Sequence, residues 1–114
     1  MMSEEDTGDK KLLELAAKAA GFTLEEHYDD DQYYPWCAET EAFWNPLLDD
    51  GDAFRLMVEL RIDVWLCEEK IAVAEYGLNG FCIGRCNEWL HDDPHAAVRR
   101  AIVRAAAEIG RDMK

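Results

Sequence analysis

The segment 93–110 constrains the fold most. Asp93-Pro94 joins a side chain able to cap a helix to a proline suited to its first turn. Val98, Ala101, Ile102, Ala105 and Ile109 then recur as a stripe at a/d-like spacing, and Gly110 is expected to stop the helix. Arg99, Arg100, Arg104 and Arg111 fall on other faces, with Arg104 and Glu108 at the i,i+4 spacing of an ion pair. A helix apolar along one stripe must bury that stripe against another element, so the rest of the chain has to supply a surface for it.

That surface is legible as two more helices and three strands. Asp9–Ala20 carries Leu12, Leu13, Leu15, Ala16, Ala19 and Ala20 at helical spacing, with Thr7 or Asp9 as cap and Gly21 as stop. Asp49-Asp50-Gly51-Asp52 opens a second helix whose acids suit its N-terminal dipole, with Ala53, Leu56, Met57 and Leu60 on one face. Ile62–Glu68 alternates, with Ile62, Val64 and Leu66 on one side. Glu69-Lys70 reads as a tight turn, and Ile71–Tyr76 is nearly continuous in apolar residues, as a strand buried on both faces would be. Gly77-Leu78-Asn79-Gly80 reads as a hairpin loop before a third strand, Phe81–Cys86. Residues 23–46 between the first two helices alternate acids with aromatics. Part of Gln32–Ala38 suits a strand, which Pro35 confines to an edge.

The order helix, irregular segment, helix, three strands, helix predicts an α+β fold. Short links between the strands favour an antiparallel meander. The expectation is an α/β/α sandwich: a three- or four-stranded, mainly antiparallel sheet with helices on both faces. Residues 1–8 read as a disordered acidic N-terminus and 9–114 as one domain. At 114 residues and 49% hydrophobic, the chain is long enough to hold a core unaided.

Charge narrows the partners. The net charge is −13, and the first fifty residues set fourteen acids against Lys10, Lys11 and Lys18. Such a field repels phosphate backbones and anionic lipid, so direct nucleic-acid or membrane binding is not expected. It favours a protein with a basic surface. No apolar run approaches the ~18 residues of a membrane span, and the first eleven residues have no signal-peptide pattern. The expected setting is the cytoplasm, where Cys37, Cys67, Cys82 and Cys86 are expected as buried, reduced thiols.

Two strings carry a family resemblance: Trp44-Asn45-Pro46-Leu47-Leu48-Asp49-Asp50-Gly51-Asp52-Ala53-Phe54-Arg55-Leu56, and Asp93-Pro94-His95 through Ile109-Gly110. With the helix end Ala16–Phe22, they resemble the small bacteriophage and prophage proteins of the phage ABA sandwich domain family, over roughly residues 12 to 111. The resemblance implies a sheet packed between helices and a phage gene product working inside a bacterium. It brings no catalytic residues and no cofactor. The acidic-aromatic segment Glu25–Glu41 lies outside the matching strings.

The sequence offers few chemical constellations. Cys82, Cys86, His91 and His95 have the ligand types of a zinc site. Their C-x3-C-x4-H-x3-H spacing is too cramped, because residues four apart on a strand do not meet on one ion. Asp29-Asp30-Asp31 and Asp49-Asp50-Gly51-Asp52 lack the alternating acids and distal Glu of a calcium loop, and read as a solvated loop and a helix cap. The one serine, Ser3, has no base beside it, and Gly77–Gly84 lacks the lysine of a phosphate loop. No catalytic residue, metal ligand or cofactor is assigned.

The functional expectation is therefore a non-enzymatic phage or prophage accessory protein. It would act as an acidic protein-binding module on a host or phage protein, as an inhibitor of a host nucleic-acid-binding or defence system would. The expected partner-binding residues are Asp29, Asp30, Asp31, Tyr33 and Tyr34. The acids give steering and the tyrosines give anchors, with Trp44 assigned to the core. Two alternatives stay open: a structural, homodimerising phage protein, and a small metal-dependent enzyme built on Cys82, Cys86, His91 and His95.

Overall fold

The computed structural model describes residues 8–67, 71–78, 81–90 and 92–113. The acidic start, the Glu69-Lys70 turn, the Asn79-Gly80 part of the hairpin loop and His91 lie outside the described residues.

Three helices form where the periodicity places them. Helix α1 is Asp9–Ala20, α2 is Asp50–Leu60 and α3 is Pro94–Asp112. Asp49 caps α2 by accepting from the Asp52 N–H at 2.8 Å, and Asp93 caps α3 by accepting from the Ala96 N–H at 3.0 Å. Gly8 occupies the N-cap of α1 and gives no side-chain bond, so Asp9 is the first helical residue and not the cap. Gly21 ends α1 at φ 79°, with the Phe22 N–H reaching the Ala17 carbonyl. The end of α2 was not legible, because Arg61 takes the left-handed conformation that glycine would announce.

The main sheet is an antiparallel meander of β6 (Asp63–Cys67), β7 (Ile71–Leu78) and β8 (Phe81–Trp89). Its register pairs Val64 with Ala74 and Cys86, and Leu66 with Ala72 and Glu88. Paired residues project to the same face, so Val64, Ala72, Ala74 and Cys86 form the inner face. Tyr76 lies beside Gly84 on that face, where a Cβ on the glycine would meet the Tyr76 hydroxyl at 2.5 Å.

Helix α3 packs against β7 and β8, and also against α1 and α2. It buries more than one face: Ala97, Ala101, Ile102, Val103, Ala105, Ala106, Ala107 and Gly110 are all buried. The sequence stripe marked one face. The second buried face is mostly alanine, which hydropathy patterns underrate and which lets α1 approach closely. Gly110 is part of that contact and not a helix stop, since α3 continues to Asp112. The α+β class stands. Its helices, expected on both faces of the sheet, stack on one. Helix α3 offers two faces to bury, so α1 and α2 pack on α3 instead of across the strands.

Residues 24–43 are more ordered than the irregular stretch expected. Leu24–Glu25 (β1), Trp36–Cys37 (β4) and Ala42–Phe43 (β5) make a small antiparallel sheet, and Tyr28–Asp29 (β2) pairs with Gln32–Tyr33 (β3). Pro35 falls between β3 and β4, fully buried, with its carbonyl accepting from the Trp44 N–H at 2.9 Å.

Candidate functional site

The first of the two family-like strings turns out to be architecture. Asn45 is buried: its amide donates to the Tyr33 carbonyl at 2.8 Å, and its side-chain oxygen accepts from the Leu47 N–H at 3.0 Å. Asp52 is buried beside it, accepting from the Asn45 N–H at 2.9 Å and from the Arg55 guanidinium at 2.8 Å. Asp50 binds Arg99 of α3 at 2.7 Å, and Arg99 also donates to the Leu47 carbonyl at 2.8 Å. The carboxylates of 49–52 thus cap α2 and tie it to β3 and α3. Every one of them has a protein partner, which leaves no open cation cage.

The arginines of α3 are spent in the same way. Arg100 pairs with Asp9 at 3.0 Å, and Arg104 pairs with Glu88 at 2.6 Å. The Arg104–Glu88 pair replaces the Arg104–Glu108 pair expected from spacing, because β8 brings Glu88 under α3; Glu108 lies 3.4 Å from Arg111 instead.

The expected partner-binding set divides. Asp29, Asp30 and Asp31 are exposed at the tip of the β2–β3 hairpin. Asp30 and Asp31 have φ of 51° and 69°, and Asp29 pairs directly with Gln32. This is a two-residue loop of the primed kind, which demands positive φ at both central positions. Tyr33 is not an exposed anchor: it is only 8% exposed, since strand alternation from exposed Gln32 turns it inward. Its ring lies 5.5 Å from Tyr28 with the Lys10 ammonium 5.4 Å from its centre, and burial pushes its hydroxyl pKa up. Tyr34 is half-buried. Burial, with the charges of Asp49 and Asp52, raises its pKa too. Trp44 is in the core, 5.6 Å edge-on from Phe22, as expected.

The residue that organises the exposed surface here is Phe43. Its ring contacts His27 at 4.6 Å, Trp36 at 5.1 Å and Tyr34 at 6.2 Å. It borders two clefts: one of about 260 Å³ with His27, Asp29 and Tyr34, and one of about 570 Å³ reaching Phe54 and Val58 of α2. Phe54, 60% exposed, in turn borders a third cleft of about 470 Å³ lined by Met57, Leu66, Leu90, Val98 and Ile102. The three clefts therefore share walls and form one apolar band from the hairpin, over α2, to α3. Sequence reasoning missed Phe54 and Val58. Their signal was present: both depart from the buried stripe of α2 on positions where a solvated helix carries polar residues.

Among the described residues, no three His, Cys, Asp or Glu side chains cluster to hold a metal. Cys86 is buried, Cys82 exposed and His95 exposed on α3; His91 is outside the described residues. The four thiols are unbridged, with Cys37 and Cys86 buried. Cys67 and Cys82 are exposed, contrary to the expectation of four buried thiols: Cys67 lies in the outer-face row with Ile71 and Trp89, and Cys82 pairs with Gly77 beyond the register shift, whereas Cys86 on the same strand faces inward beside Ala74. No described helix is long and apolar enough to cross a membrane. The sequence matches no protein-family model, no curated protein and no solved structure.

Proposed function

We propose that this chain is a non-enzymatic, acidic protein-binding module, a phage or prophage accessory protein acting on a host or phage protein with a basic surface. The observation that carries the reading is the continuous apolar band through Phe43 and Phe54. A contiguous exposed apolar strip with concave pockets is the surface form of a protein-interaction site. The hairpin acids Asp29, Asp30 and Asp31 stand at one end of it and steer a basic partner, while the clefts beside Phe43 and Phe54 take its apolar anchors. The partner is thus a protein segment presenting apolar side chains among lysines or arginines.

The test is quantitative affinity capture from a bacterial lysate with the full chain, followed by binding measurements on the retained protein. Phe54→Ser is expected to leave the fold intact, because the side chain is largely exposed, and to weaken binding by about tenfold or more. Asp29→Asn/Asp30→Asn/Asp31→Asn is expected to slow association and flatten its salt dependence. Normal binding by both variants would remove this band as the site, and a chain that retains no protein would end the reading.

A further inference from the structure

The outer face of the three-stranded sheet is a second, independent surface. The register places Trp65, Val73 and Asn87 in one row, Cys67, Ile71 and Trp89 in the next, and Asp63, Glu75 and Arg85 in a third. Trp65 is 55% exposed and Trp89 60%; Ile83, also 60% exposed, lies where the register shifts. The described helices leave this face open, and the eleven acids of residues 8–50 all lie outside these strands.

We propose that this face is where two copies of the chain pair, sheet on sheet. Charge selects the occupant. Two chains of −13 repel wherever their acidic segments meet. Among the described residues the outer sheet face carries two acids and one arginine, and Glu75 is already held by Arg85 at 2.8 Å. The two ends of its third row are also complementary, while Glu75 at its centre, which a two-fold along β7 sets opposite its own copy, is held by Arg85 of its own chain. Asp63 lies on one edge strand and Arg85 on the other, directly across β7. A two-fold axis running parallel to β7 lays β6 of each copy over β8 of its partner, as aligned sheets pack about 10 Å apart. Asp63 of each copy then faces Arg85 of the other, twice. The Trp65 and Trp89 rows close over the central Ile71 and Val73.

Analytical ultracentrifugation of the full chain across the micromolar range tests this. A concentration-dependent dimer is expected. Asp63→Arg should raise its dissociation constant by about tenfold or more, and Asp63→Arg/Arg85→Asp should restore it, with circular dichroism unchanged in both. Trp65→Gln should weaken the dimer without loss of fold. A monomer at all concentrations would overturn the proposal, as would a dimer indifferent to Asp63→Arg and Trp65→Gln. Because the Phe54 band is not part of this face, Phe54→Ser should leave the dimer unchanged, so the two surfaces fail or succeed separately.

Discussion

The backbone of Gly110 in α3 lies against the carbonyl oxygen of Leu15 in α1, so closely that a Cβ on residue 110 would sit 2.0 Å from that oxygen. The contact is backbone on backbone and no rotamer can relieve it. Gly110→Ala would gain up to about 1 kcal/mol of helix propensity in an open helix. Here the two helices must separate, and loosening the α1–α3 interface costs more than that gain. Denaturant unfolding of Gly110→Ala is expected to show a net loss of about 2 kcal/mol or more. A variant as stable as the parent would show that the helices part freely.

Asn45 is the second site where one atom change has a large consequence. Replacing it by Ala leaves the buried Tyr33 carbonyl and the Leu47 N–H without their partners. The expected cost is about 2–3 kcal/mol, read as a lower urea midpoint with unchanged slope. Asn45→Asp is expected to fare no better, because it sets a second carboxylate beside Asp52 and an acceptor against the Tyr33 carbonyl.

The hairpin tip is expected to move the other way. Asp31 holds φ 69° as the last of three successive aspartates. Asp31→Gly removes the left-handed strain and one of three like charges, and should stabilise the domain by about 0.5–1 kcal/mol. A thermal melt decides this; a lower midpoint would mean that Asp31 contributes a contact of its own.

Thiol reactivity should split two and two. Cys67 and Cys82 are exposed and should be alkylated quickly in the native protein. Cys37 is buried, and burial pushes the Cys86 thiol pKa up, so at neutral pH Cys86 is protonated as well as shielded. Mass spectrometry after a short pulse of iodoacetamide should find two labelled sites, with the other two labelled only in denaturant. Rapid labelling of Cys37 would place it outside the core.

The sequence by itself determined the three helices, a cap within Asp49–Asp52 and another at Asp93, the glycine stop at Gly21 and the three strands of the main sheet; that Asp49 is the cap of α2 came from the structure. Each of these rests on local physics: side-chain period, a capping oxygen within three residues, or a backbone that only glycine adopts cheaply. It also placed Trp44 in the core. What only the tertiary structure decided depends on which elements meet. Gly110 read as a stop until α1 crossed it. Tyr33 read as an exposed anchor until the β2–β3 register turned it inward. Arg104 found Glu88 across the fold in preference to Glu108 one turn away. The stacking of all three helices on one side of the sheet came from alanines, whose small side chains carry little hydropathy yet set how closely backbones approach. The candidate surfaces went unread for a different reason: Phe54 sits off the buried stripe of α2, a signal in the sequence, but only the packing shows that it and Trp65 stay outside.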